Sequence, residues 1–132
     1  MALGWHEVTG MKHLDTHIAV WLAAGDKRRL KSVRKELSRG QIFVSPFVVL
    51  ELEFLFEVGR IRARSGEVLS VLEEHGVAVC DGNLRDLVPV ATSLAWTRDP
   101  FDRLIVAHSL ERKAKLITMD ETILANAPNA IC

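Results

Sequence analysis

Cysteine is scarce in this chain. Only Cys80 and Cys132 occur among its 132 residues, too few for a disulfide framework, and nothing has zinc-ligand spacing. Cys80 reads as a small core residue and Cys132 as a terminal thiol, so the expected compartment is a reducing cytoplasm. Long apolar runs are also missing: no stretch approaches the roughly 18 residues of a membrane span. The first ten residues lack the charged-then-apolar order of a signal peptide. Neither sign of charge dominates, because 17 Lys and Arg balance 17 Asp and Glu. That excludes a strongly basic coat for nucleic acid but allows a local patch, and basic residues do cluster at 27–39 and 60–64. Repeats, low-complexity tracts and linkers are absent as well.

What is present is a single domain of ordinary globular composition, nearly half of it apolar. Residues 1–10 fit no element and read as an N-terminal extension; the domain proper is expected over 11–132. His13-Leu14 is a very short apolar segment ending at Asp15, and Thr16-His17 open an apolar helix that stops at Gly25. Residues 27–39 predict a basic amphipathic helix with Leu30, Val33 and Leu37 on one face. Gln41 to Ser45 is a strand, and Pro46 opens a helix that closes at Gly59. Ser65 is expected to cap a helix running to about His75, followed by a strand at Val77–Cys80. Asn83 to Ala95 is amphipathic, with Pro89 inside it. Asp99-Pro100 then opens a helix that ends in basic residues at Lys113 to Lys115, Leu116 to Met119 is a buried strand, and Asp120-Glu121 begin a last helical turn before an edge strand at Ala130-Ile131. Strands alternating with helices through short loops call for a parallel sheet covered on both faces.

The acidic residues sort by environment. Glu51 is flanked at helical spacing by Phe47, Val48, Phe54 and Leu55, so it points out of an apolar face, and an isolated buried carboxylate needs a partner, a metal or a raised pKa. Glu53 and Glu57 form a solvated stripe with Arg60. Asp15 and Asp120 each end a strand, the place where ligands collect in open α/β sheets. Asp99 suits the N-cap of its helix and Asp102 the third position, both favourable for structural reasons alone. If the short strands are neighbours, Asp15, Glu51, Asp99, Asp102 and Asp120 gather in one place. So many carboxylates cannot share a pocket unprotonated without cations. Oxygen-only donors select Mg²⁺ or Mn²⁺ over zinc, and such a centre suits displacement at phosphorus. Thr16 and Thr118 are candidates to orient Asp15 and Asp120 from behind.

The order LDTHIAVWL, SPFVVLELEFLFEVGRI, DPFDRLIVAHSLERKAKLITMDE resembles the PIN-domain ribonucleases, in particular the toxins of VapC-type toxin–antitoxin pairs, over residues 11–132. The resemblance implies a three-layer α/β/α sandwich with a short central parallel sheet and a Mg²⁺- or Mn²⁺-dependent endoribonuclease. By position, the family's catalytic acids fall on Asp15, Glu51, Asp102 and Asp120, its occasional further metal-binding acid on Asp99, and its conserved hydroxyl on Thr16. It further implies RNA as substrate, a homodimer, and a VapB-type antitoxin covering the acidic groove, for which the apolar, Arg-flanked stretch Phe54 to Arg64 is the expected contact.

Plainer alternatives stand beside these expectations. Glu51 in a buried ion pair with Arg103, His17 and His108 as hydrogen-bonded structural groups, and Trp21 and Trp96 as core are the bland readings. Arg98 and Arg103 flank the acids and are candidates to touch RNA phosphate. Two other functions fit the same residues: an RNA-processing nuclease of the same fold with no antitoxin, and a non-catalytic domain whose acidic groove docks a basic peptide or metal.

Overall fold

The computed structural model describes residues 10–132, so nine of the ten positions of the expected N-terminal extension lie outside the described residues. Five short strands form one all-parallel sheet: β1 (Met11–Leu14), β2 (Gln41–Val44), β3 (Ala78–Val79), β4 (Lys115–Ile117) and β5 (Ala130–Ile131), in the order β3-β2-β1-β4-β5. Seven α-helices flank it: α1 (Thr16–Ala24), α2 (Arg34–Leu37), α3 (Pro46–Glu57), α4 (Ser65–Glu74), α5 (Leu84–Ser93), α6 (Pro100–Glu111) and α7 (Glu121–Asn126). This is the α/β/α sandwich expected from the alternation of elements.

The sheet order matters for function. From β1 the chain winds outward through β2 to β3, whereas from β4 it winds the other way to β5. The direction reverses between β1 and β4, and a crevice opens at the carboxyl ends of strands flanking such a reversal. Register pins the two strands together: His13 lies opposite Leu116, Leu14 opposite Ile117, and the Asp15 amide donates to the Ile117 carbonyl at 2.9 Å. Leu14, Ile18, Val44, Val48, Leu52, Leu72, Ile105, Leu116 and Ile117 are completely buried around this seam. Each such side chain stabilises the fold by about 1.5–3 kcal/mol relative to exposure.

Several boundaries differ from the sequence expectation. The predicted basic helix over 27–39 is instead a run of turns, a 3₁₀ turn at Lys31–Val33 and the single turn of α2. Like charges four apart, Lys27 with Lys31 and Lys31 with Lys35, disfavour a continuous helix. The segment is held by tertiary contact instead. Lys12 on β1 is buried, and its Nζ donates to the carbonyls of Glu36 (2.6 Å) and Arg39 (3.0 Å) and pairs with the Glu36 carboxylate (2.9 Å).

Ser65 does not cap α4. Arg64 is the capping residue, with no side-chain cap bond, and the Ser65 amide and hydroxyl both donate to Glu53 at 3.1 Å. Glu53 also accepts from Arg64 at 2.9 Å, so it ties α3 to α4 rather than lying in a solvated stripe. These three donors hold its carboxyl below the usual range. β3 is only two residues long and exposed, shorter than the expected Val77–Cys80. α3 ends as its sequence indicates: Val58 is the C-cap and Gly59 follows with φ 79°, a backbone conformation that costs glycine least.

Candidate active site

Asp15, Glu51, Asp99, Asp102 and Asp120 line one cleft of about 530 Å³, together with His17, Phe54, Leu55, Val58 and Arg60. Four separate segments deliver the acids, and each is placed by local chemistry.

Asp15 caps α1 at the end of β1. It is nearly buried; one carboxylate oxygen accepts the Thr16 amide at 2.9 Å and the other the Thr118 hydroxyl at 2.6 Å. Burial pushes its carboxyl up, against the pull of those two hydrogen bonds. Thr118, itself buried, also accepts the Asp120 amide at 3.0 Å, so one hydroxyl couples the strand-end acids of β1 and β4. Asp120 caps α7, taking the Thr122 and Ile123 amides at 2.9 and 3.0 Å on one oxygen. Only one carboxylate oxygen is used, which leaves the other for the cleft.

Asp99 caps α6 in the same way, accepting from the Phe101 and Asp102 amides at 2.8 and 3.2 Å through Oδ1. Asp102 follows in the first turn. Burial, then the neighbouring charges of Asp99, Asp15, Glu51 and Asp120, push its pKa up to about 7. The helix N-terminus beside it acts in the opposite direction and is outweighed.

Glu51 projects from the middle of α3 and accepts a hydrogen bond from the Thr16 hydroxyl. Burial is the main cause of its raised pKa, with Asp15 and Asp99 adding repulsion. The Thr16 hydroxyl therefore serves Glu51; only its backbone amide serves Asp15. The alternative of a Glu51–Arg103 ion pair is not realised among the described residues; the Arg103 Nε donates to the Thr97 carbonyl at 2.7 Å instead. Arg103 lies in a separate shallow hollow with Val88, Pro100 and Leu104, and Arg98 is exposed outside the cleft lining.

The donor set is consistent in its chemistry. Five carboxylates face one cavity, and the folded state raises the pKa of three of them by burial and mutual repulsion. That is the electrostatic signature of a place where a hard divalent cation would relieve the repulsion, and oxygen donors suit magnesium or manganese.

A second group of donor atoms was not legible in the sequence. His13, Cys80 and His108 are buried, and their donor atoms lie within 4.8 Å of one another. Their softer donors would suit zinc, but His108 already uses both ring nitrogens. Nε2 lies 2.8 Å from the Asp81 carbonyl and Nδ1 2.7 Å from the Ser45 hydroxyl. A carbonyl can only accept, so Nε2 carries the proton and the Ser45 O–H donates to Nδ1. Ser45 in turn caps α3, accepting the Phe47 amide at 3.3 Å. His108 is thus a structural brace between α6, which carries Asp102, and α3, which carries Glu51. The fit around it is tight: a Cβ on Gly82 would come within 2.7 Å of Nε2.

Residues 12–128 match the PIN domain family over almost the whole chain. The chain belongs to the PIN domain family. Solved structures with the same fold include the VapBC2 complex of Rickettsia felis bound to a promoter DNA fragment (18% identity, 92% of this chain and 96% of that one, TM-score 0.64). A toxin–antitoxin complex from Klebsiella pneumoniae is similar at 18% identity, with the same coverage and a TM-score of 0.66. VapBC-1 from nontypeable Haemophilus influenzae shares 20% identity over 87% of this chain and 90% of that one, with a TM-score of 0.62. No protein of curated function matches the chain by sequence. In this PIN domain the acidic cleft lies at the sheet's reversal point, between β1 and β4.

Proposed function

We propose that this PIN domain is a Mg²⁺- or Mn²⁺-dependent endoribonuclease, acting as the VapC-type toxin of a cytoplasmic toxin–antitoxin pair. The observation that carries this reading is the convergence of five acids from four segments on one cleft. Asp15, Glu51, Asp102 and Asp120 would hold the cation, with Asp99 at the rim. A cation bound there would supply Lewis-acid polarisation of a phosphodiester oxygen and neutralise charge developing in an in-line displacement.

The protein's own part is preorganisation. Thr118 fixes Asp15 and the start of the Asp120 turn together, Thr16 fixes Glu51, and the cap bonds of Asp99 and Asp120 fix their rotamers. Burial and the neighbouring carboxylates hold the Asp102 pKa up at about 7, and a cation held in the cleft would oppose that rise and favour the carboxylate.

The antitoxin partner is supported by the toxin–antitoxin complexes that share the fold. Phe54 and Val58, exposed on the cleft wall, offer the apolar contact that such a partner would cover. A homodimer is part of the same reading. The test is cleavage of end-labelled RNA by purified protein with Mg²⁺ or Mn²⁺. Wild type should cut and be silenced by EDTA, and Asp102→Asn should lose on the order of 100-fold or more in rate, the scale seen when groups around a metal site are altered. Cutting that survives Asp15→Asn combined with Asp102→Asn would exclude this site. Co-expression with the neighbouring reading frame separates a toxin from a lone processing nuclease.

A further inference from the structure

Beside the acidic cleft lies a second hollow of about 630 Å³, lined by Trp21, Asp26, Arg28, Arg29 and Met119. It is joined to the cleft on two sides. Along α1, His17 and Trp21 are four residues apart and share a face, with ring centroids 6.0 Å apart; His17 lines the cleft and Trp21 the hollow. Along the β4 exit, Met119 lines the hollow and its neighbour Asp120 the cleft. The helix rise places Trp21 about 9 Å along α1 from Asp15, within reach of a strand that lies along α1 from the acids.

The chemistry of this hollow is opposite to that of the cleft. The Arg29 guanidinium stands over the Trp21 ring, 5.5 Å from its centroid, and its Nε is 3.6 Å from Asp26. Arg28 is exposed on the same rim, and Lys27 and Lys31 are exposed nearby in sequence. The Ser32 hydroxyl lies 3.4 Å from the Met119 sulfur. An exposed, single-partner ion pair such as Arg29–Asp26 contributes at most about 1 kcal/mol and yields readily to a phosphate.

We infer that Trp21, Arg28, Arg29 and Met119 form a subsite for the single-stranded RNA flanking the scissile bond, a phosphate meeting the two arginines and a base lying against the indole and the thioether. The inference rests on the nuclease reading of the adjacent acids and extends it to one side of the strand. A negatively charged strand entering a ring of carboxylates is repelled, and a cationic, aromatic shelf next to the ring offsets that repulsion where it does not compete with the acids. The combination of a cationic groove and an aromatic platform is how single strands are held without dependence on sequence. The disrupted helix over 27–39 has a purpose on this view: the turns present Arg28 and Arg29 towards Trp21 instead of spreading the charge around a helix.

The test measures binding and cleavage separately. Fluorescence anisotropy with a labelled single-stranded RNA, Ca²⁺ replacing the catalytic ion, reads the subsite whether or not the protein cuts. Arg28→Gln with Arg29→Gln should weaken binding roughly tenfold or more and lower the salt dependence of the affinity, and Trp21→Leu should weaken it several-fold. In the cleavage assay the same variants should raise KM and leave kcat near the wild-type value. Both arginines are exposed, so the double variant should melt with wild type; Trp21→Leu is checked by its Tm. Unchanged RNA affinity and unchanged salt slope in the double arginine variant overturn the inference, including the case in which those residues prove instead to hold the antitoxin. Weaker binding in the double arginine variant, with a wild type that binds RNA but never cuts it, would sink the nuclease reading and leave the subsite standing.

Discussion

At the scale of single residues, Asp102 has the sharpest consequence. Its folded pKa is near 7 against an unfolded value of 3.8, so the folded state binds the extra proton. Stability from this group is therefore full below the unfolded pKa and is lost as pH rises through the interval up to about 7. Burial comes first among the causes and the four other carboxylates follow, and an added cation cancels the second contribution. We predict that metal-free protein gains thermal stability at pH 8 on Asp102→Asn substitution, and that millimolar Mn²⁺ gives wild type a gain that the variant largely lacks. Differential scanning calorimetry at pH 5 and pH 8, with and without the ion, checks this. A variant that melts below wild type at pH 8 in EDTA would contradict the repulsion described for the cleft.

At the scale of elements, the cleft is built from helix starts. Asp15, Asp99 and Asp120 cap α1, α6 and α7 respectively, so the bonds that begin these helices also aim their carboxylates. The double duty of Asp99 can be separated. Asp99→Ala should cost about 1 kcal/mol of stability through loss of the cap, whereas Asp99→Ser keeps a capping oxygen and should melt close to wild type. If Asp99 also serves the cation, the serine variant needs several-fold more Mn²⁺ for half-maximal cleavage; titrating the rate against Mn²⁺ measures it. Equal Mn²⁺ requirements in wild type and Asp99→Ser would restrict Asp99 to its structural task. These starts were legible because Asp-Pro, Ser-Pro and a strand-end aspartate are local signals. The failed helix over 27–39 was legible only in part: its apolar spacing was correct, the like-charged lysines four apart counted against it, and only the structure shows the segment tied down by Lys12 of β1.

At the scale of the whole molecule, the interior where β1, α6 and the end of β3 meet carries the least obvious feature. His13 is fully buried, neither ring nitrogen has a hydrogen-bond partner among the described residues, and its ring meets that of His108 edge-on at 4.9 Å. Burial, helped by His108 and Arg112, pulls its pKa down to about 3. A folded pKa below the unfolded value of 6.5 means the unfolded chain takes up the proton first, so stability falls as pH drops from 6.5 towards 3. His13→Leu removes two unsatisfied polar atoms at similar volume. It should stabilise the protein by about 1–3 kcal/mol at neutral pH and flatten part of the acid limb, to which His108 adds in the same direction because burial lowers its pKa too. Urea melts at pH 7 and pH 4.5 test this. A destabilised variant with an unchanged acid slope would mean that His13 is held by something more than packing.

The residue order by itself determined the α/β class, the parallel sheet and which acids lie at strand ends or on an apolar helix face. Those features follow from periodicity, capping and turn chemistry, which act over a few residues. Only the tertiary structure decided that Thr16 serves Glu51 while Thr118 joins Asp15 to Asp120, that Glu53 braces α4, and that Arg103 turns away from the acids. It also decided that His13 lies against His108, and that Trp21 and the 28–29 arginines stand next to the cleft. The Thr16–Glu51, Thr118–Asp15 and His13–His108 meetings join residues far apart in the chain and are set by sheet order and packing. Arg103 to Thr97 and Arg29 over Trp21 depend on how the turns between them pack; for neither does local pattern carry a signal.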